Sequence, residues 1–259
     1  MHGKKRNDFY KTSDEREHFK KKLEAGYKLL DSFVDHISTV DSYDFIHECR
    51  DDSRTPDDHK MFELSLGIIE FMPEFPPSWD YRKKYILKML SENATKSLVH
   101  LLDEREYNQT ILKKTPKSYA LWHHRLWIIT LLFSIRTNDL YDILMEEITL
   151  CFKLFKFDGR NFHCWSYFNF IFHYLMKLDV SKTCKNDIQL MVSKNLADLI
   201  NSNFSNYSAW YHNSNLSISL ESPHNHLELI TQAIYTDPHD QCLWNYYHWL
   251  LFERGSLKY

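Results

Sequence analysis

The chain has 259 residues, 43% of them hydrophobic, and a formal charge of -3, so it can bury a sizeable core and carries no bulk charge that calls for nucleic acid or an anionic membrane as partner. With only 5 Gly and 7 Pro it argues against a turn-rich β protein and for long helices. Five cysteines without a Cys-x-x-Cys pair, no run near the ~20 apolar residues of a membrane span, and a polar start without a signal-type stretch point to a soluble protein of a reducing compartment, expected to be cytoplasmic.

Taken in chain order, residues 15–36 read as a charged amphipathic helix with Phe19, Leu23, Tyr27, Leu30, Phe33 and Val34 on one side. Residues 48–60 are charged and contain Pro56, and are the expected loop; residues 1–60 are then an N-terminal helix plus loop ahead of the main body at 61–259. Beyond that point one pattern recurs five times, a Trp opening an aromatic and basic cluster: Trp79-Asp-Tyr-Arg82, Trp122-His-His-Arg125, Trp165-Ser-Tyr-Phe168, Trp210-Tyr-His-Asn213 and Trp244-Asn-Tyr-Tyr247. The spacings are 43, 43, 45 and 34, and a period near 40 residues marks a repeat architecture.

Each repeat reads as a helical hairpin. In the second, a helix from Leu98 to Lys113 breaks at Thr115-Pro116-Lys117, and Trp122, Leu126 and Ile129 mark the next helix. In the third, Leu144, Ile148, Cys151, Phe152 and Phe155 lie at helical spacing, Phe157–Asn161 is a turn-rich break, and Trp165, Phe168, Phe172 and Leu175 follow. Pro stands six residues before Trp in three repeats (Pro73, Pro116, Pro238), a place for a joint or a first helical turn. Hairpins with apolar faces bury them by stacking, so the expected fold is all-α, an α-α superhelix or TPR-like solenoid in which the five Trp are mostly core. The apolar end at Trp249, Leu250, Leu251 and Phe252 carries the expectation that another chain covers part of the array.

Pro116-Lys-Ser-Tyr-Ala-Leu-Trp-His-His-Arg125, with Asn161-Phe-His-Cys-Trp165 and Asn203-Phe-Ser-Asn-Tyr-Ser-Ala-Trp210, resembles the repeat signature of protein prenyltransferase α subunits. The likeness spans nearly the whole chain, is weakest over 37–70, and is nearest to the type II, Rab geranylgeranyltransferase, members, particularly through Glu228–Leu251. The farnesyl-type and type I α subunits share the repeats, and a helical-repeat scaffold that binds partners without chemistry is the reading from a different class. Some members carry immunoglobulin-like and leucine-rich domains; the expectation here is a minimal α subunit without them. The signature Arg stands at Arg82 and Arg125 and is replaced by Phe168, Asn213 and Tyr247, which leaves open the contacts such Arg residues make.

The resemblance implies a heterodimer with a β subunit that holds zinc and the isoprenoid pocket. Geranylgeranyl diphosphate is the donor, and a Rab GTPase presented by an escort protein is the acceptor. It also implies site residues. Lys117 and Tyr119 fall on the family's Lys-x-Tyr positions, and Asn161 and His163 on its Asn-aromatic-His positions, with Phe162 for the usual Tyr. Lys117 would place charge toward the diphosphate, Tyr119 and His163 would donate hydrogen bonds, and Asn161 and Phe162 would shape the substrate-side loop, Asn161 by orienting it. Against these stand plainer readings: a solvated Lys, aromatics (Tyr119, Phe162, Tyr207) plugging the joints, and a capping His163. No metal is assigned to this chain. Adjacent His123 and His124 diverge by about 100° on a helix, and His224-x-His226 reads as part of a loop without convincing co-ligands. His2 is an imidazole near a chain end, with reach toward a metal on a partner.

Overall fold

A computed structural model describes residues 13–39, 56–92, 94–135, 139–217 and 223–252; His2, Cys49 and the expected loop as far as residue 55 lie outside the described residues. Eleven helices and no strand occupy them: α1 (Ser13–Thr39), α2 (Pro56–Phe71), α3 (Pro76–Glu92), α4 (Ala94–Lys114), α5 (Tyr119–Ile135), α6 (Leu140–Phe155), α7 (Phe162–Lys177), α8 (Lys182–Ser202), α9 (Tyr207–Ser217), α10 (Pro223–Thr236) and α11 (Gln241–Phe252). The chain divides into two compact units, Met1–Arg136 and Thr137–Tyr259. In the first, α1 packs on α2, and α2/α3 and α4/α5 are hairpins; in the second, α6/α7, α8/α9 and α10/α11 are hairpins.

Two expectations are corrected. The loop expected at 48–60 overlaps α2, which starts at Pro56. A Pro followed by two Asp is also a first-turn signature, since Pro there forfeits no hydrogen bond and acidic side chains suit the helix N-terminus. His224 and His226 lie in the first turn of α10 rather than in a loop. The expected face of α1 is only partly covered. Phe33 is buried with Met61, Ile68 and Tyr81, against Leu29 and Leu30, while Phe19, Tyr27 and Val34 are exposed. Gly26 permits this docking: a Cβ there would meet the Phe71 ring at 2.5 Å.

The Trp period has a structural cause at each hairpin joint. The indole N–H of Trp79, Trp122, Trp165, Trp210 and Trp244 donates to the carbonyl six residues earlier, on Pro73, Pro116, Gly159, Phe204 and Pro238, at 2.7, 2.8, 2.9, 2.7 and 2.7 Å. Every joint is a four-residue turn closed by a backbone bond: Phe75 to Met72, Ser118 to Thr115, Asn161 to Asp158, Asn206 to Asn203 and Asp240 to Asp237. In the last four, the closing residue also caps the next helix through its side-chain oxygen, which accepts from Leu121, from His163 and Cys164, from Ala209 and from Cys242. One side chain thus fills the hairpin core and satisfies the turn's exposed carbonyl. Trp210→Phe keeps most of the volume but leaves the Phe204 carbonyl without its indole; a loss of about 2 kcal/mol is expected in urea unfolding, and a loss below half that would show the bond to be incidental.

In three repeats the residue two after Trp lies against the Trp of the repeat before. His124 lies against Trp79 with ring centroids 4.5 Å apart, His212 stacks on Trp165 at 4.3 Å, and Tyr246 lies against Trp210 at 4.4 Å. Tyr81, His124, Tyr167, His212 and Tyr246, the five residues at this position, are all buried. Four of the five Trp are core, as expected; Trp244 is 47% exposed. Among the described residues no later repeat supplies a ring to stack on it.

Candidate functional site

The joints carry the residues singled out from the sequence. In unit one, Lys117 is the third residue of the turn Thr115–Ser118 and its side chain is exposed. The turn is held at both ends: Ser118 N–H donates to Thr115 O at 3.2 Å, and the Trp122 indole grips the Pro116 carbonyl. Tyr119 follows as the first residue of α5 and is 64% exposed. In unit two, Asn161 is buried and its Oδ1 accepts from the amides of His163 (3.1 Å) and Cys164 (3.4 Å). Asn161 is therefore the N-cap of α7. Phe162 opens α7 and is 59% exposed, with the half-buried His163 ring against it at 3.9 Å between centroids.

These aromatics are more than half exposed. Tyr119, Phe162 and Tyr207, the first residue of α9 and 57% exposed, hold the same register position in three repeats, and all three point outward rather than plugging the joint. The structure places Lys117 with Tyr119 in one joint and Asn161, Phe162 and His163 in another.

A buried polar cluster went unread in the sequence. Arg82 and Glu104 form a two-armed ion pair, with Nε to Oε1 at 2.8 Å and Nη2 to Oε2, joining α3 to α4 of the next hairpin. Arg82 Nη1 also donates to Phe62 O (3.0 Å) and Ser65 Oγ (2.9 Å), and its guanidinium stacks on the Phe62 ring at 3.9 Å. His124 Nε2 reaches Glu104 Oε1 at 2.7 Å, while its buried Nδ1 has no hydrogen-bond partner. Burial alone would push the Glu104 carboxyl up, but the bonds and charges of Arg82 and His124 bring it down to about 2. Burial depresses His124 despite Glu104, so a neutral ring donating from Nε2 is the species that fits. Burial likewise lowers His212 to about 4. A trace was available in the sequence: Glu104 and Glu147 keep the 43-residue period of Trp122 and Trp165, and Tyr167 Oη donates to Glu147 at 2.7 Å across the offset that separates His124 from Glu104.

The signature Arg is likewise a packing residue. Arg82 Nη1 reaches the carbonyl 20 residues back and the side chain 17 back; Arg125 Nη1 repeats this on Arg105 O (3.0 Å) and Asn108 Oδ1 (3.3 Å). Where Phe168 replaces Arg, the residue 17 back is the buried Cys151, and the ring joins Phe152, Phe155 and Trp165. In the third repeat an apolar set therefore fills the slot that is polar in the first two. His123 is exposed, 3.4 Å from Lys83 Nζ, and His124 is buried on Glu104, so the pair diverges. Among the described residues no three His, Cys, Asp or Glu side chains converge to hold a metal.

The profile of a family described as "Protein prenyltransferase alpha subunit repeat" matches residues 101–132, 144–175 and 223–254, the hairpins α4/α5, α6/α7 and α10/α11. The Mus musculus protein named "Geranylgeranyl transferase type-2 subunit alpha" is 30% identical over 209 residues, covering 75% of this chain and 34% of its own length. The Candida albicans protein of the same name is 30% identical over 252 residues (80% and 64%), and the Arabidopsis thaliana "subunit alpha 2" is 28% identical over 221 (76% and 30%). The chain thus spans about a third of the length of the mouse and plant relatives. A solved structure, "Candida albicans protein geranylgeranyltransferase-I complexed with GGPP", superposes with a TM-score of 0.57 over 81% of this chain and 64% of that one. At 19% identity that likeness speaks for the fold alone.

Proposed function

Because the chain belongs to the protein prenyltransferase α-subunit family, we propose that it is the α subunit of a heterodimeric Rab geranylgeranyltransferase. With a β subunit it transfers geranylgeranyl from its diphosphate to C-terminal cysteines of a Rab GTPase presented by an escort protein, in the cytoplasm. In the reaction the cysteine thiolate attacks the allylic carbon, a C–S bond forms, the C–O bond breaks, and diphosphate leaves with the electron pair. A zinc ion held by the β subunit would supply the chemistry that favours the thiolate over the thiol. This chain's part is at the leaving group. Lys117 brings a compact positive charge, and Tyr119 and His163 bring donors, to charge that grows as the bond breaks. Asn161 fixes the loop, and Phe162 offers an apolar face beside His163.

The observation that carries this is the outward exposure of Lys117, Tyr119 and Phe162 on turns pinned at both ends by the cap and the Trp indole. Rigid display of donors is what stabilisation of developing charge requires, since donors that must reorganise during the reaction forfeit much of their effect. The test is co-expression with prenyltransferase β subunits. A co-eluting 1:1 complex that prenylates a Rab with escort protein present is expected. Activity on short C-terminal CaaX peptides instead would assign a farnesyl or type I role. Failure to pair with any β subunit would leave a partner-binding scaffold.

A further inference from the structure

Within Thr137–Tyr259 the third joint is held by those that follow. Arg160 Nη2 donates to the Ser205 carbonyl at 3.1 Å, and Ser205 Oγ donates in turn to the Asp240 carboxylate of the fifth joint. Burial and the Asp240 charge push the Cys242 thiol up to about 11, against a pull from Arg160, which places that guanidinium within electrostatic reach of the same corner. The nearest approach is at Gly159. A Cβ there would lie 2.6 Å from Asn206 Nδ2. Asn206 has little room to yield, because it is buried and its Oδ1 holds the Ala209 amide at the start of α9. This explains a glycine at the register position where the other joints carry Pro73, Pro116, Phe204 and Pro238. Glycine serves here to make space.

Displacement at 159–160 has a short path to His163. The Gly159 carbonyl anchors the Trp165 indole (2.9 Å), and Asn161, one residue beyond Arg160, closes the turn on Asp158 and caps the His163 amide. We infer that Arg160 and Gly159 are positioning residues: the fourth joint is a template against which they set the turn that carries His163. The inference rests on His163 being a leaving-group donor, and the test separates the two.

The experiment uses the full chain paired with its β subunit and the variants Arg160→Ala, Arg160→Lys, Gly159→Ala and His163→Ala. Arg160→Ala and Gly159→Ala are each expected to lower kcat roughly tenfold with KM for geranylgeranyl diphosphate within about twofold, because small misplacements of a reacting group are costly. Arg160→Lys recovers part of the loss, since a donor remains. In a His163→Ala background Arg160→Ala adds nothing further, as groups acting through one another are not additive. Full additivity, or unchanged turnover in both positioning variants, overturns the inference. A second readout needs no partner: in the full chain alone, amide exchange at Asn161, His163 and Cys164 is expected to quicken about tenfold in Arg160→Ala as the template loosens. Unchanged exchange overturns the inference as well. If His163→Ala leaves turnover intact, the donor reading falls, and exchange alone decides whether the joint is templated. Should Gly159→Ala fail to fold, the exposed Arg160 keeps the question open to measurement.

Discussion

Glu104→Ala is expected to destabilise the protein by about 3–5 kcal/mol, because it strands the buried Arg82 charge between two hairpins. Arg82 retains Phe62 O and Ser65 Oγ as acceptors but loses the only counter-charge among its described bonds. His124 loses the partner of its Nε2 and keeps an unpartnered Nδ1, so both ring nitrogens are then buried without a bond. Replacing the whole set, Arg82→Met with Glu104→Leu and His124→Phe, is expected to cost far less, since well-packed apolar groups need no desolvation repaid. Urea unfolding of the two variants side by side decides this. A loss under about 1 kcal/mol in Glu104→Ala would place the cluster with surface ion pairs, which contribute little.

The same cluster, together with His212, sets a pH dependence whose direction follows from the bonds and charges on Glu104 and from the burial of the two His rings. Glu104 ionises at about 2 in the fold against an ordinary 4.5, so in acid the unfolded chain binds a proton that the folded one refuses. Its contribution is complete above pH 4.5 and is lost as pH falls toward 2, a loss of about 3 kcal/mol. His124 and His212 are depressed from 6.5 by burial, His212 to about 4, so their contribution is complete above 6.5 and is lost through that lower range. Stability is expected to begin falling below pH 6.5 and to fall faster below 4.5. A curve flat from 6.5 to 4.5 would mean that neither ring is buried neutral.

The repeat was legible because one residue type carries two loads. Trp79, Trp122, Trp165 and Trp210 fill the hairpin core and bond the joint carbonyl, so neither a smaller apolar residue nor another aromatic replaces them. The Pro that recurs six residues before Trp marked the acceptor without revealing it. The residue two after Trp was hidden for a physical reason: His124, His212 and Tyr246 look like surface polar aromatics, and each lies against a Trp of the preceding repeat. Glu104 was hidden likewise, since a buried carboxylate is readable only once its two partners, 22 and 20 residues away, are known. The start of α2 was misplaced because Pro and Asp serve loops and first turns alike. At the candidate site the motif positions singled out Lys117, Tyr119, Asn161, Phe162 and His163, but not how exposed each would be. Composition favours burial for Tyr119 and Phe162, whereas the first position of a capped helix, beside a closed turn, turns them outward.

Lys117→Ala is expected to lower turnover of the heterodimer about 100-fold, while subunit affinity and the unfolding midpoint of this chain stay close to wild type. The asymmetry follows from where Lys117 sits. Its side chain is exposed, and its turn is closed by the Ser118 amide on the Thr115 carbonyl and clamped by the Trp122 indole on the Pro116 carbonyl, bonds that other residues make. Removing the side chain therefore removes charge from the surface and leaves the joint standing. A preorganised cation facing a departing diphosphate acts on the transition state more than on the bound donor, so kcat falls and KM for geranylgeranyl diphosphate moves little. Lys117→Arg keeps the charge but moves it onto a planar fork, and recovery should be partial. Tyr119→Phe isolates the hydroxyl in the second repeat; the third repeat already carries Phe162 at that position. If instead Lys117→Ala weakens assembly as much as it slows turnover, Lys117 belongs to the subunit interface and the diphosphate must be met by other groups.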